Sequence, residues 1–246
     1  MKKKVYGLVG RNIGYSFSEG YFAKKFAEEG LANCRYHNFD IDDIRELPEI
    51  IENTEGLRGL NVTIPYKEEV IPLLDSLSKT ANAIGAVNTI VISKKGLKGY
   101  NTDQYGFRKA LKPMLDIHHK KALILGTGGA AKAVAYALRK LRIEYDFVSR
   151  TATDVIFSYE CLNKEVFDEY QIIINSTPIG TYPNVVEYPP IDYSLFTRNH
   201  IAFDLTYNPS ETEFMKRAAQ YGASTKNGYE MLVYQAEKAW KIWNKK

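Results

Sequence analysis

Read by the period of its apolar positions, the chain alternates β-type runs with helical stretches from its first residues onward. Residues 5–9 (Val-Tyr-Gly-Leu-Val) form a short apolar run that predicts a strand. After a polar loop, Phe22 and Phe26 with Ala23 and Ala27 recur one helical turn apart before Gly30, so a helix follows. Residues 34–39 predict a second strand, Asp40 and Asp42 open a helix carrying Ile44, Leu47 and Ile51, and residues 60–64 predict a third strand. Strands alternating with helices imply a parallel sheet with right-handed crossovers. Ser78 then caps a short helix ending at Gly85. Residues 86–93 and 97–101 flank Lys94-Lys95-Gly96 as the arms of a hairpin, and the first domain closes there.

A helix over about residues 105–115 reads as the crossing element, because the alternation restarts at Lys120. Residues 121–125, 144–148, 171–175 and 201–205 predict strands of a second parallel sheet, and residues 129–141 an alanine-rich helix. A last helix over about residues 229–243 fits as a cap on either domain, and no internal repeat is visible. The expected fold class is therefore α/β in two domains, with the boundary near residue 105.

Composition and charge narrow the function classes. The chain has 246 residues, of which 45% are hydrophobic and 25% charged, so it buries a real core and carries no disordered tract. Its formal charge of +4 comes from scattered lysines, which suits a small anionic molecule and argues against a nucleic-acid or membrane partner. Met1-Lys2-Lys3-Lys4 before an apolar run imitates a signal peptide, but Arg11 and Asn12 end that run too early. No stretch approaches the roughly 18 apolar residues of a membrane span. Cys34 and Cys161 are solitary, and His37, His118, His119 and His200 share no ligand spacing. Neither a disulfide framework nor a metal site is expected, and the reading is a reducing cytoplasm.

The most informative local motif is Gly126-Thr127-Gly128-Gly129-Ala130-Ala131, which follows an apolar strand and opens a helix. That is the context of the dinucleotide fingerprint. Gly126 permits the tight turn, Gly128 lets the backbone approach a pyrophosphate, Ala131 allows close helix packing, and the helix N-terminus offers free N–H groups to the anion. The bland reading is a merely tight strand-to-helix turn. At the tip of the next strand stand Ser149, Arg150 and Thr151, a guanidinium and two hydroxyls that suit a 2′-phosphate and so favour NADP. Asp146 is the rival, an acid at nearly the separation an NAD site uses, and Arg150 alone also reads as a solvated loop residue.

Polar groups gather at predicted strand ends in the first half, where open α/β sheets bind ligands. Ser16 and Ser18 follow strand one. Asn61-Val62-Thr63-Ile64-Pro65-Tyr66-Lys67 runs off strand three, with Pro65 suited to the first position of a helix and Lys67 on the same rim. Asn88 lies in Ala86-Val87-Asn88-Thr89, and Asp103 ends Tyr100-Asn101-Thr102-Asp103 before the crossing helix. Singly, each has an ordinary alternative: a solvated lysine, a helix cap, turn serines, a strand-edge asparagine.

Taken together and in order, these motifs resemble the shikimate dehydrogenase family over essentially the whole chain. So do Asn175-Ser176-Thr177-Pro178-Ile179-Gly180, Asp204-Leu205-Thr206-Tyr207-Asn208-Pro209 and the run from Gly228 to Ala236. The resemblance implies a substrate-binding domain over residues 1–104, rejoined by the last helix at 226–246, and a Rossmann-like NADP-binding domain over 105–225. It implies that Ser16 and Ser18 hold a substrate carboxylate and that Thr63, Asn88, Asp103 and Gln235 bind ring hydroxyls. Tyr207 would line the cleft near the nicotinamide, with Lys67 and Asp103 as the catalytic pair facing it. Cofactor contacts would come from Gly126, Thr127, Gly128, Gly129, Ala130, Ser149, Arg150, Thr151, Thr177 and Gly228. The implied reaction is the reversible NADPH-dependent reduction of 3-dehydroshikimate to shikimate, on the route to chorismate and aromatic amino acids, by a cytoplasmic monomer or homodimer. The residue types suit it, since hydride arriving at a ketone leaves an alkoxide that needs a proton and a nearby positive charge, and a lysine supplies both.

This chain departs from the family pattern at four places. Tyr15 and Ser149 replace a common histidine and asparagine. Tyr229-Glu230 replaces leucine-glycine, and the stretch 150–175 is short, so a helix of the cofactor domain is expected to be reduced or missing. Two other readings stay open, a quinate-type dehydrogenase using NAD and a sensor that binds the same ligands without turnover.

Overall fold

A computed structural model of the chain describes residues 2–14, 16–151, 153 and 156–245; Tyr15 lies outside them. The chain forms two compact units. One runs through Thr102 and takes back the chain from Ala236, and the other is Asp103–Gln235. The first contains β1 (Lys4–Gly10), α1 (Phe17–Glu28), β2 (Cys34–Asp40), α2 (Leu47–Asn53), β3 (Leu57–Val62), β4 (Ser76–Leu77), α3 (Lys79–Ile84), β5 (Thr89–Ser93) and β6 (Gly96–Tyr100). The second contains α4 (Asp103–Leu111), β7 (Lys121–Leu125), α5 (Gly129–Leu141), β8 (Glu144–Ser149), β9 (Ile156–Ser158), α6 (Lys164–Glu169), β10 (Ile172–Asn175), β11 (Ile201–Asp204), α7 (Glu213–Gln220) and β12 (Ser224–Lys226). A final helix, α8 (Tyr229–Trp243), passes from the second unit into the first at Ala236.

In the first unit the strand order is β2-β1-β3-β5-β6-β4. The β1 strand lies parallel to both β2 and β3, while β5 runs antiparallel between β3 and β6. Alternation along β1 sends Val5 and Val9 to one face, with Leu47, Leu60, Tyr66 and Ile90, and Tyr6 and Leu8 to the other. That second face is aromatic: Phe22 and Phe26 of α1, one turn apart, pack there with Tyr6, Tyr36 and Trp243. The end of α8 completes it. The Trp243 indole donates to the Ile90 carbonyl at 2.9 Å and lies directly on Gly59, where any Cβ would overlap the ring.

Several element starts differ from the sequence expectation. Asp40 does not open a helix; it ends β2 and accepts the Asn12 and Ile13 N–H groups at 2.7 and 3.0 Å. The cap is Asp43, which forms a capping box with Glu46 over the turn leading into α2. The third strand begins at Leu57 and stops at Val62. No helix starts at Pro65, where residues 64–70 form consecutive turns and the Ile64–Pro65 peptide is cis.

The second unit is a single parallel sheet in the order β12-β11-β10-β7-β8-β9, the doubly wound order of dinucleotide-binding folds, with its switch point between β7 and β10. Both faces are covered, so its strands read as continuous apolar runs. Along β7, Ala122 and Ile124 join Val134, Leu138 and Phe203 on one side, while Leu123 and Leu125 join Phe167, Phe196 and Phe214 on the other. The sequence marks β7, α5 and α8 at their observed bounds and passes over β9, β12, α6 and α7. The stretch 150–175 holds β9, a short turn and the six-residue α6, so the helix expected to be reduced or missing is present and short. Among the described residues no helix is long and apolar enough to cross a membrane.

Because the Trp243 ring occupies the space over Gly59, Gly59→Ala is expected to lower the unfolding free energy by about 1–3 kcal/mol, the range for overpacking. Urea titration of both proteins, with an unchanged midpoint as the contrary result, checks it.

Candidate active site

The parallel register of β1 and β3 pairs Val9 with Val62, so the chain segments that follow both strands emerge on one sheet edge. Thr63 is first off β3, its N–H donating to the Val9 carbonyl at 2.9 Å, and the Arg11 N–H reaches the Ile64 carbonyl at 3.2 Å. The loop after β1 is thereby tied to Thr63 before it delivers Ser16, the N-cap of α1, whose hydroxyl accepts the Ser18 N–H at 3.2 Å. Ser16 is half-buried and Ser18 buried. Because β5 runs antiparallel to β3, its start lies at this same edge, with Asn61 opposite Thr89. Asn88 stands just before it, accepting the Val62 N–H at 2.9 Å through its carbonyl.

Lys67 is carried by the turns after β3, and two anchors fix them. The Tyr66 ring is wholly buried below, with its phenol donating to the Ile41 carbonyl at 2.7 Å. The Lys67 carbonyl accepts the Val87 N–H at 2.7 Å. A buried residue followed by a half-buried one puts the lysine on the rim, which is the position expected for it, although a turn and not a helix supplies it. Ser16, Thr63, Lys67 and Asn88 therefore share one edge of the first sheet.

Beneath that edge lies a hydrogen-bonded cluster that joins residues of three sequence motifs to Tyr36, which no motif had singled out. The Tyr36 phenol donates to Asn61 Oδ1 at 2.9 Å, Asn61 Nδ2 donates to the Asn88 carbonyl and Thr89 Oγ1, and the Thr102 N–H donates to Asn88 Oδ1 at 2.7 Å. All five residues are buried. The signal for it was available as polar residues breaking apolar strand runs, since buried polar groups require partners.

In the second unit the glycine turn leaves β7 at the switch point. Gly126 has φ +107°, a backbone that side-chain-bearing residues rarely adopt, and a Cβ there would lie 3.0 Å from Ser176 Oγ. Gly128 is the N-cap of α5 and makes no side-chain cap, and a Cβ on it would meet nothing within 4 Å. The thirteen-residue helix thus presents its first N–H groups and positive dipole end to open space, an anion site in waiting. Thr127 is exposed beside it, and Gly129 and Ala130 form the first turn.

The Gly126 N–H donates to the Val148 carbonyl at 2.8 Å, so the tip of β8 adjoins the glycine turn. There Ser149 Oγ accepts the Thr151 N–H at 3.2 Å and donates to the Thr151 carbonyl at 2.9 Å, holding a tight turn with Arg150 exposed at its apex. Asp146, the rival for this position, pairs with Leu123 in mid-strand and accepts the Tyr170 phenol. Thr177 follows β10, and its hydroxyl and N–H both donate to Asn175 Oδ1.

Asn175 and buried Asp204 lock the ends of β10 and β11 together. The carboxylate accepts from Thr212 Oγ1 at 2.7 Å, the Thr206 N–H at 2.9 Å and Asn175 Nδ2 at 3.2 Å. Burial pushes the Asp204 carboxyl pKa up while these donors pull against it. Tyr207 leaves this knot half-buried, and the Gly228 N–H is held by the Thr206 carbonyl at 2.9 Å. Asp103 is buried as the first residue of α4. One turn on, Gly106 lets α4 rest against α8, where an added Cβ would lie 3.1 Å from the Gln235 Cβ. Asp103 and buried Gln235 thus belong to the same helix crossing. Among the described residues no group of three or more His, Cys, Asp or Glu side chains is placed to hold a metal ion.

Residues 8–90 match the family model of the shikimate dehydrogenase substrate binding domain. The NADP(+) shikimate dehydrogenase of Carboxydothermus hydrogenoformans is 37% identical over 257 residues, covering 98% of this chain and 91% of that protein. This chain belongs to the shikimate dehydrogenase family. Among solved structures of the family, shikimate dehydrogenase from Aquifex aeolicus superposes with a TM-score of 0.86 at 35% identity, covering 98% of this chain and 92% of that one. The Thermus thermophilus enzyme, in complex with NADP(H) and shikimate, gives 0.85 at 30% identity over 98% of this chain and 93% of that one. The α/β class with a Rossmann-like unit is thus common to the family and to this chain.

The two glycines should separate experimentally. Gly126→Ala forces a side chain onto φ +107° and is expected to cost about 1–3 kcal/mol, whereas Gly128→Ala should cost under about 1 kcal/mol. Thermal unfolding of the pair decides this, and equal losses would contradict the geometry.

Proposed function

We propose that this protein is an NADP-dependent shikimate dehydrogenase, catalysing the reversible reduction of 3-dehydroshikimate to shikimate. The observation that carries the reading is the pairing of two equipped units in one chain. One sheet edge gathers Ser16, Thr63, Lys67 and Asn88, and the other unit opens a helix N-terminus at Gly128 beside Arg150. NADP(H) fits that second site: Gly126 makes the tight turn, Thr127, Gly128, Gly129 and Ala130 would offer backbone N–H groups to the pyrophosphate, and Ser149, Arg150 and Thr151 would take the 2′-phosphate. Thr177 and Gly228 would border the cofactor, with Tyr207 near the nicotinamide. When bound, the nicotinamide supplies the hydride.

Residues of the first unit, together with Asp103 and Gln235, do the rest. Ser16 and Ser18 direct their hydroxyl protons to the substrate carboxylate. Thr63, Asn88 and Gln235 receive ring hydroxyls. Lys67 protonates the oxygen that becomes alkoxide, and Asp103 serves as its acid–base partner and accepts a substrate hydroxyl, an arrangement worth roughly 10²–10⁴-fold. Residues 1–104, rejoined by residues 226–246, form the substrate domain, and residues 105–225 form the domain that carries the cofactor. The protein acts in the cytoplasm on small molecules, without nucleic acid or membrane, as a monomer or homodimer.

An absorbance assay of shikimate and quinate against NADP and NAD tests the proposal. Turnover is expected to be fastest with shikimate and NADP, and silence in all four combinations would favour a ligand sensor. Lys67→Ala should lower kcat by about 10²–10⁴-fold while NADP still binds; near-normal kcat would remove the lysine from the chemistry. Arg150→Ala should weaken NADP by about tenfold or more with little effect on NAD, and equal loss for both would mean that the guanidinium does not read the phosphate.

A further inference from the structure

We infer that Tyr36, on β2, is a positioning residue that acts through Asn61 and Thr89 on the placement of Asn88. The inference rests on the substrate reading of the first unit given above.

The direction of each hydrogen bond follows from groups that have no choice. The Asn88 main-chain carbonyl can only accept, so the Asn61 atom 3.1 Å from it is the amide nitrogen, and the same nitrogen donates to Thr89 Oγ1 at 3.2 Å. Asn61 Oδ1 therefore faces Tyr36, and the phenol must donate to it, at 2.9 Å. Holding Asn61's proton, Thr89 turns its own toward Asn88 Oδ1, 3.0 Å away. The Thr102 N–H, which can only donate, reaches the same oxygen at 2.7 Å. The Thr102 hydroxyl also lies 3.2 Å from Asn88 Oδ1, and Asn88 Nδ2 donates to Thr102 Oγ1 at 3.0 Å. The Asn88 amide is thus held with its oxygen toward the Thr89 hydroxyl and the Thr102 N–H.

Tyr36 is suited to set this order. Its ring stacks on Phe22 at 4.5 Å with 11° between planes, and Phe22 lies one helical turn beyond Ser18 on α1. Burial pushes the phenol pKa up, so the group keeps its proton. Without the hydroxyl, neither orientation of the Asn61 amide satisfies both of its ends. Turned as now, its oxygen is unpaired; flipped, its oxygen opposes the Asn88 carbonyl and takes the Thr89 proton away from Asn88.

Steady-state kinetics of wild type, Tyr36→Phe, Asn61→Leu and the double variant, each with shikimate and NADP varied separately, test the inference. Tyr36→Phe should raise KM for shikimate about tenfold, the effect of one lost neutral hydrogen bond, and leave KM for NADP within about twofold. Asn61→Leu should do the same, and the double variant should be no worse than Asn61→Leu alone, because the two act in series. A purely structural role would lower Tm and the active fraction without moving KM. Tyr170→Phe, which removes a phenol donating to Asp146 in the other unit, should show that pattern. If Tyr36→Phe does not fold, Asn61→Leu carries the same KM prediction. An active wild type with an unmoved KM for shikimate in the folded variants, or full additivity in the double variant, overturns the inference alone. A wild type silent toward shikimate and quinate overturns the functional reading and this inference with it.

Discussion

A buried amide cannot leave its oxygen or its N–H groups unpaired, and the first unit is built around the partners Asn61 finds. Asn61 sits inside β3 with 5% of its surface exposed, between Tyr36 on β2 and Thr89 on β5. Each hydrogen bond it makes crosses the sheet or reaches a neighbouring strand end, so the amide ties three chain segments into one register. An apolar residue would fit that space with less desolvation and would leave the strand ends free to shift. The polar cluster costs solvation and returns definition, because a network with every member satisfied has few alternative arrangements.

The second unit solves the same problem with a carboxylate. Asp204 is buried at the end of β11 and collects donors from Asn175, Thr206 and Thr212, so the ends of β10 and β11 and the start of α7 meet at one point. Two units of different topology thus share a device: apolar sheets below, and at the C-terminal strand ends a polar side chain that fastens the loops. Groups that are to act on a ligand are held by neighbours that are not exposed to it, which is what preorganisation requires.

Chain regions were legible in proportion to how local their determinants are. β7, α5 and α8 came out at their bounds because an apolar run, a glycine turn and a helical stripe each lie within a dozen or so consecutive residues. β9 and β12, three residues each, carry too few positions to show a period, and α6 has only six. The turn at residues 64–70 was misread as a helix start because Pro65 suits a first helical position. What decides that turn is the burial of Tyr66 against Ile41, a contact 25 residues distant in sequence.

The sequence by itself determined the α/β alternation, the glycine turn opening α5, the placing of Arg150 rather than Asp146 at a strand tip, and the motif order that marks the family. These are properties of residue type and short spacing, and they survive without knowing what packs against what. The tertiary structure decided which polar residues hold one another. Asn61 and Asn88 look alike in a sequence, each an asparagine in an apolar run. Only the pairing of β3 with β5, and Tyr36 arriving from β2, makes Asn61 a buried strut beneath Asn88 and gives the Asn88 amide its orientation. Hydrogen-bond direction is set by all partners at once, and those partners come from segments that are neighbours in space alone.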